Sequence, residues 1–181
     1  WPDDNTLRST NTDVEGFLGS LDTAAPKWGK RTTSAVVLGA GGAGRAVIFG
    51  LMERGLTEIH VVNRTIAKAE ALKERFGDVI RPATWDQLPS LLQDARLLVN
   101  TTSLGMHGEP ELAVDLQSMA PDAVIADIVY VPLKTPLLLD AEARGFAVAN
   151  GLDMLLHQAV RGFELWFGTR PEVTSELYDM L

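Results

Sequence analysis

The strongest constraint on the fold is a glycine-rich segment that directly follows a short apolar run. Residues 35–38 are apolar and partly β-branched, which is typical of a buried parallel strand. Gly39, Gly41 and Gly44 then have the G-x-G-x-x-G spacing. Glycines at this spacing permit a tight turn, close approach of the backbone to a pyrophosphate, and packing of the following helix on its strand. The segment therefore predicts a strand, a phosphate-binding loop and a helix whose N-terminus faces an anion.

A second segment indicates which dinucleotide such a loop would bind. Residues 58–62 are predicted to form the next strand, and NAD-binding folds usually place Asp or Glu at its end for the ribose 2′-hydroxyl. This chain has Asn63 and Arg64 there, with Lys68 one helical turn later. A guanidinium suits a 2′-phosphate, because it can donate two parallel hydrogen bonds. We therefore predict NADP rather than NAD; the alternative is that Arg64 and Lys68 are only a solvated helix start.

Composition excludes several classes of protein. The 181 residues are enough for one core, and 46% hydrophobic with 22% charged residues is ordinary for a globular domain. A net charge of −8 argues against a nucleic-acid partner, and no apolar run is long enough to predict a membrane span. The absence of cysteine excludes disulfides and thiolate sites and is compatible with a reducing cytosol, so we expect a cytoplasmic protein. The three histidines are scattered, which predicts no metal site, and the oligomeric state stays open.

From Ser34 onward, short apolar strands alternate with helices, which is typical of an α/β protein with a doubly wound parallel sheet. The predicted strands are residues 35–38, 58–62, 79–80, 97–100, 123–127 and 147–149. The predicted helices between them are residues 42–54, 66–76, 85–92 and 136–143. Thr135 followed by Pro136 indicates the start of the last of these helices, since the hydroxyl can cap it and proline is tolerated at its first position.

Two further helices are predicted at the ends of the chain. Residues 152–167 have one broad apolar face at helical spacing, and we expect Trp166 to lie in the core. Upstream, Thr12 and Glu15 fit a capping box. This places Asp13 at the first helical position, where its charge is favourable at the positive end of the helix dipole and needs no functional role.

Six ordered stretches cover most of the length of the chain. They are residues 11–13 with Gly16 and Phe17, 39–43, 63–65, 100–106, 127–132 with Thr135, and 150–158 continuing to Phe163 and Trp166. In these stretches the chain resembles the shikimate dehydrogenase family; each stretch is modestly specific, but the ordered set is very specific. The resemblance implies a Rossmann-like NADP-binding domain from a two-domain oxidoreductase. The enzymes of that family reversibly reduce 3-dehydroshikimate to shikimate in aromatic amino-acid and chorismate biosynthesis.

The resemblance also implies residue roles. Asp13 matches the family's catalytic Asp, which replaces the purely structural interpretation given above. The implied substrate-binding residues are Asp13, Tyr130 and Gln158. The implied cofactor-binding residues are Gly39, Ala40, Gly41, Gly42 and Ala43 at the pyrophosphate, Asn63, Arg64, Thr65 and Lys68 around the 2′-phosphate, and Thr102, Ile128 and Gly151 at the nicotinamide. Most of these positions follow predicted strand ends, where doubly wound sheets bind their ligands.

Without the resemblance, several of these residues have simpler interpretations. Tyr130 could be a core aromatic, Gln158 a surface glutamine, and Gly151 an irregular joint before a helix. Residues 100–103 could likewise form an ordinary turn closed by side-chain hydrogen bonds.

The chain departs from the family pattern at its start. The family's N-terminal substrate domain, with its catalytic Lys, has no counterpart before Asn11, and the first residue is Trp1. We expect residues 1–30 to be a linker and connecting helix, and residues 31–181 to form the NADP-binding domain with closing C-terminal helices. The chain is then expected to bind NADP(H) and to turn over shikimate weakly or not at all. Three alternatives stay open: a quinate/shikimate dehydrogenase relative, another NADP reductase resembling glutamyl-tRNA reductase, and a non-catalytic NADP-binding module.

Overall fold

A single parallel sheet organises the computed structural model, which describes residues 10–178 and 180. Its six strands are β1 Ser34–Leu38, β2 Glu58–Val62, β3 Ile80–Ala83, β4 Leu97–Asn100, β5 Val124–Asp127 and β6 Ala147–Ala149. Their order in the sheet is β3-β2-β1-β4-β5-β6, and all neighbouring pairs are parallel. Strands β1 to β3 extend the sheet to one side and β4 to β6 extend it to the other, so the switch point lies between β1 and β4. This is the arrangement of doubly wound dinucleotide-binding sheets. The predicted fold class is confirmed.

Seven α-helices accompany the sheet in this part of the chain. They are α1 Asp13–Ala24, α2 Gly42–Glu53, α3 Ile66–Phe76, α4 Leu88–Leu91, α5 Pro136–Ala143, α6 Gly151–Phe167 and α7 Ser175–Tyr178. Short 3-10 turns at Trp28–Lys30 and Trp85–Gln87 complete the connections. Of the predicted linker, residues 1–9 lie outside the described residues.

The helices cover both faces of the sheet, because successive side chains of a strand point to opposite sides. Val37 of β1 belongs to one buried cluster, which also contains residues of α1, α2, α3 and α6. Val36 and Leu38 belong to a second cluster with residues of α4, α5 and the segment after β4. Phe17 and Leu21 are fully buried in the first cluster, so α1 shares its core with the sheet.

The third strand differs from its prediction. It was predicted at residues 79–80 but runs over Ile80–Ala83. The exposed Arg81 and the following Pro82 break the apolar pattern that predicted the strand. A proline is tolerated here because β3 lies at the edge of the sheet, where one side needs no backbone donor.

The predicted capping box at the start of α1 is wrong. Thr12 makes no side-chain cap hydrogen bond, and its backbone is near helical at φ −88° and ψ −6°. A side-chain cap needs an extended backbone at that residue. The Asp13 N–H instead donates to Asn11 Oδ1 at 2.8 Å. The predicted cap of α5 is correct, since Thr135 Oγ1 accepts from the Leu138 N–H at 3.4 Å.

Helix α6 forms as predicted, but most of its predicted apolar face is not buried. The buried residues of α6 are Gly151, Met154 and Val160, whereas Phe163 is exposed. Trp166 is 80% exposed, so its predicted place in the core is wrong. The residues of α6 that approach the glycines of α1 are Met154, His157 and Gln158, in its first two turns, and Trp166 lies about two turns further along the helix.

Candidate active site

The predicted cofactor segments meet at the carboxyl edge of the sheet. The Gly39 N–H, just after β1, donates to the Val62 carbonyl at the end of β2 at 2.8 Å. On the other side, the Ile128 N–H after β5 donates to the Asn100 carbonyl of β4 at 3.1 Å. Parallel strands therefore bring together loops that are far apart in the sequence, at the edge where such sheets bind ligands.

The glycines of the phosphate loop divide into two kinds. Gly39 has φ +103°, and a Cβ there would lie 2.7 Å from Thr101 Oγ1. A Cβ on Gly44 would lie 2.8 Å from the Gly39 carbonyl oxygen. These two glycines allow the loop and α2 to pack. Gly41 and Gly42 are exposed, and a Cβ on either would meet no atom within 4 Å, so their surface is open to a ligand.

Helix α2 begins directly under this open surface. Gly41 is its N-cap residue, Gly42 is its first residue, and no side chain caps it. Its first N–H groups and its dipole are therefore available to an anion. Ala40 is buried and Ala43 is half-buried, so these two small residues shape the loop.

A cavity of about 610 Å³ lies beyond the end of β2, which is within the usual range for small-molecule sites. Five of the predicted cofactor residues line it together. The Asn63 Nδ2 donates to the Thr65 carbonyl at 2.8 Å and so shapes the loop that carries Arg64. The lining residues are Asn63, Arg64, Thr65, Lys68 and Thr102, with Trp85, Ser103, Leu104 and residues 109–113.

The cations of this cavity, Arg64 and Lys68, are candidates for binding the 2′-phosphate. Arg64 and Lys68 are both exposed, and within residues 10–178 and 180 neither forms an ion pair with a carboxylate. Lys68 lies in the first turn of α3, where a cation opposes the helix dipole. Within these residues Arg64 and Lys68 are thus not neutralised by an ion pair, so both are available to bind a phosphate group. Glu109 and Glu111 also line the cavity.

Trp85 lines the same cavity, although it was not predicted there from the sequence. It follows β3 by two residues, as Arg64 follows β2, and the two strands are paired with Val62 opposite Ala83. The capping box of Thr84 holds the turn that carries Trp85. The strand register could have identified this tryptophan, but the strand was predicted to end too early.

The residues predicted at the nicotinamide form a tight joint between two loops and α6. A Cβ on Gly151 would lie 2.2 Å from the Ile128 carbonyl oxygen, so only glycine fits there without movement. Asn150 caps α6 by accepting from the Asp153 N–H at 2.9 Å. On the neighbouring loop, Thr102 donates through its N–H and its hydroxyl to Asn100 Oδ1, at 3.0 and 2.7 Å.

The predicted substrate residues are spread over three elements. Asp13 is half-buried at the first position of α1. Gln158 of α6 packs against Gly16 of α1, where an added Cβ would lie 2.7 Å from Gln158 Cβ. The α1–α6 contact thus places Gln158 one turn along α1 from Asp13. Tyr130 is 52% exposed on the loop after β5, and no hydrogen bond among the described residues joins it to the other two.

The lysines lie on several elements of the described part of the chain. Lys134 pairs with Glu142 at 2.8 Å, and Lys73 lies 3.7 Å from Asp78. Lys27 and Lys30 follow the far end of α1, and Lys68 lines the cavity described above. None of these lysines forms an ion pair with Asp13.

Neither a metal centre nor a membrane-spanning helix is found among the described residues. Residues 10–178 and 180 contain no group of three or more side chains suited to hold a metal ion. The same residues include no helix that combines the length and the apolar character needed to cross a membrane.

Comparison with known proteins identifies the family. The family model described as shikimate / quinate 5-dehydrogenase matches residues 23–128, and that of the shikimate 5′-dehydrogenase C-terminal domain matches residues 151–174. The shikimate dehydrogenase (NADP(+)) of Nitrobacter hamburgensis is 62% identical over 175 residues, which are 97% of this chain and 61% of the relative. That of Rhodopseudomonas palustris is 60% identical over 177 residues, 98% of this chain and 64% of the relative.

Solved structures agree with this match. The quinate dehydrogenase of Corynebacterium glutamicum in complex with NAD has a TM-score of 0.82 at 30% identity, covering 95% of this chain and 63% of that one. The shikimate 5-dehydrogenase of Thermus thermophilus in complex with NADP(H) and shikimate has a TM-score of 0.74 at 40% identity, covering 90% and 58%. The chain spans about three fifths of the length of the curated relatives it matches. Its sheet order, its glycine loop and both family models agree that the chain belongs to the shikimate / quinate 5-dehydrogenase family.

Proposed function

We propose that this chain is the NADP(H)-binding portion of a shikimate dehydrogenase, which reversibly reduces 3-dehydroshikimate to shikimate. The observation that carries the proposal is the pair of exposed cations, Arg64 and Lys68, in the cavity beyond β2, where NAD-binding folds usually have a carboxylate. In this proposal residues 31–181 form the cofactor-binding unit, and residues 1–30 connect it to a substrate domain.

The described residues fit a dinucleotide along the whole carboxyl edge. Gly41 and Gly42 leave open space at the uncapped start of α2, which suits the pyrophosphate. The cavity with Arg64 suits the adenosine half and its 2′-phosphate, and the joint of Ile128 with Gly151 suits the nicotinamide. The bound cofactor would supply the hydride, and these residues would hold its reactive carbon toward the substrate.

We assign the substrate side to Asp13, Tyr130 and Gln158. Asp13 would accept a hydrogen bond from the reacting hydroxyl, and the other two would orient the substrate. Proton transfer needs a group of suitable pKa within hydrogen-bond reach, and the family uses a lysine for it. Because none of the lysines described above pairs with Asp13, we expect the purified 181-residue chain to bind NADPH and to turn over shikimate weakly. Robust shikimate-dependent reduction of NADP by this chain would contradict that expectation.

The cofactor assignment is tested by binding measurements on an Arg64→Ala variant. Loss of charge-assisted hydrogen bonds to the 2′-phosphate should weaken NADPH binding by about 10- to 100-fold in isothermal titration calorimetry. NADH binding should change little, because NADH has no phosphate at that position. Arg144→Ala is the control, since Arg144 is exposed and pairs with Asp140 in α5 at 2.9 Å. Equal losses for both cofactors would show that Arg64 does not recognise the 2′-phosphate.

Quinate dehydrogenase is the second candidate function. The quinate dehydrogenase structure has a higher TM-score than the shikimate enzyme, 0.82 against 0.74, and that protein is in complex with NAD. The same titration separates the two candidates. Tighter binding of NADH than of NADPH by the unmodified chain would favour an NAD-linked quinate enzyme, and the reverse favours our proposal.

A further inference from the structure

A buried polar network joins the loops that follow β4 and β5. Its centre is the carboxylate of Asp127, which is 1% exposed at the end of β5. Asp127 Oδ1 accepts from Asn100 Nδ2 at 2.9 Å and from the Val129 N–H at 3.0 Å. Asp127 Oδ2 accepts from Thr135 Oγ1 at 2.7 Å. Asn100 and Thr135 are fully buried, so no solvent competes for these bonds.

Asn100 extends the network into the loop after β4. Its Oδ1 accepts both the N–H and the hydroxyl of Thr102, and its Nδ2 also donates to the Leu104 carbonyl at 3.2 Å. The Asn100 carbonyl accepts from the Ile128 N–H at 3.1 Å. Thr102 and Ile128 are therefore tied to one carboxylate, each through a single intermediate residue.

Stability alone is a poor reason for this arrangement. Burial raises the pKa of Asp127, and the hydrogen bonds from Thr135, Val129 and Asn100 only oppose that effect. Apolar side chains of similar size often pack as well as a buried charge or better. The backbone ladder of β4 and β5 and their apolar residues already hold these strands together. A buried, fully bonded network does provide one fixed geometry for the loops it joins.

We propose that Asp127 is a positioning residue for the nicotinamide half of the cofactor. It holds Thr102, through Asn100, and the Ile128–Val129 backbone in one arrangement. Ile128 in turn supports Gly151, whose Cα lies against the Ile128 carbonyl. The inference rests on the proposed function, which places the nicotinamide at Ile128 and Gly151 and the adenosine in the cavity with Arg64, with Thr102 contributing to both because it also lines that cavity.

The test compares two ligands on the same chain by isothermal titration calorimetry. NADPH occupies both halves of the site, whereas 2′,5′-ADP carries the adenosine and the 2′-phosphate without nicotinamide. In Asp127→Ala the affinity for NADPH should fall about tenfold, because binding must then order the loops that the network held in place. The affinity for 2′,5′-ADP should fall much less, because Arg64 and Lys68, which hold its 2′-phosphate in the proposed function, lie on another segment, after β2. Asp127→Asn should retain most of the NADPH affinity, because its amide oxygen can still accept from Asn100 and Val129.

Thr135→Ala is the matched control for lost stability. It removes the bond to Asp127 Oδ2 and the cap of α5 but leaves the links to Asn100 and Val129. Its NADPH affinity should match that of the unmodified chain. A parallel loss of both ligands in Asp127→Ala, or an equal NADPH loss in Thr135→Ala, would overturn the positioning role.

Hydrogen exchange on the unmodified chain keeps the inference testable if Asp127→Ala does not fold. NADPH should slow amide exchange at residues 128–130 more than 2′,5′-ADP does, whereas both ligands should protect residues 102–104, which line the cavity with Arg64. Equal protection of residues 128–130 by the two ligands would overturn the inference. Failure of the unmodified chain to bind either ligand would instead overturn the proposed function.

Discussion

Replacing Gly151 with alanine measures how closely α6 is seated on the loop after β5. The new Cβ would lie 2.2 Å from the Ile128 carbonyl oxygen and 2.6 Å from the carbonyl carbons of Ile128 and Val129. All three atoms belong to the backbone, so no side chain can rotate away. Since Cβ contacts below 3.0 Å are essentially never seen, the helix N-terminus or the loop must move by roughly 1 Å.

The magnitude follows from two opposing effects. Alanine in place of glycine favours a helix by up to about 1 kcal/mol, whereas overpacking typically costs about 1–3 kcal/mol. The clash is with backbone atoms, so its cost should lie in the upper part of that range, at about 2–3 kcal/mol. We therefore expect Gly151→Ala to lower the free energy of unfolding by about 1–2 kcal/mol. Gly162 in the same helix is the control, because a Cβ there would meet nothing within 4 Å. Gly162→Ala should raise the free energy of unfolding by about 0.5–1 kcal/mol.

Urea unfolding followed by circular dichroism gives both values, and an unchanged m-value shows that the comparison is of stability alone. The displaced loop carries Ile128, so Gly151→Ala should also weaken binding of NADPH more than binding of 2′,5′-ADP. If Gly151→Ala were as stabilising as Gly162→Ala, α6 would be free to shift, and the tight joint inferred from the structure would be wrong.

Two further predictions concern Trp85 and His157. Trp85 is half-buried in the cavity with Arg64, so 2′,5′-ADP should quench its fluorescence. The quenching should disappear in Trp85→Phe and persist in the control Trp28→Phe. Equal quenching in both variants would place the adenine elsewhere. Burial lowers the pKa of His157, with Asp153 partly opposing, so the unfolded chain binds the proton more readily. Stability should therefore fall as the pH drops through about 6.5. In His157→Gln the urea midpoint should depend less on pH between about pH 7.5 and 5.5. The same pH dependence in the variant would exclude His157 as the cause.

Sequence alone suggests candidate residues for the cofactor half of the site, because its signals are local. A glycine loop needs only its own backbone and the strand before it, and the spacing of Gly39, Gly41 and Gly44 expresses that directly. Arg64 is likewise placed by the end of one strand. Trp85 was not predicted because β3 is an edge strand that contains Pro82, and its end was predicted three residues too early.

The network around Asp127 could not be predicted from local pattern. Asn100 and Asp127 are 27 residues apart, and their contact exists because β4 and β5 are neighbours in register, with Asn100 opposite Asp127. Sheet order comes from packing of the whole core, which no window of sequence contains. Local sequence is also insufficient to predict which residue caps α1. Asn11 and Thr12 are equally able to cap a helix, and the backbone geometry selects Asn11.

Helix α6 shows why an amphipathic pattern does not identify a packing partner. Its periodic apolar residues predict a face that gains by burial, but they do not say which neighbour covers it. The face that meets α1 carries His157 and Gln158, and its partners are two glycines of α1: a Cβ on Gly16 would lie 2.7 Å from Gln158 Cβ, and one on Gly19 would lie 2.7 Å from the His157 ring. Close approach of two helix backbones needs small residues on one side, and Gly16 and Gly19 provide it. The position of α6, and with it that of Gln158, is therefore set by the shape of α1 and not by the strongest apolar stripe of α6.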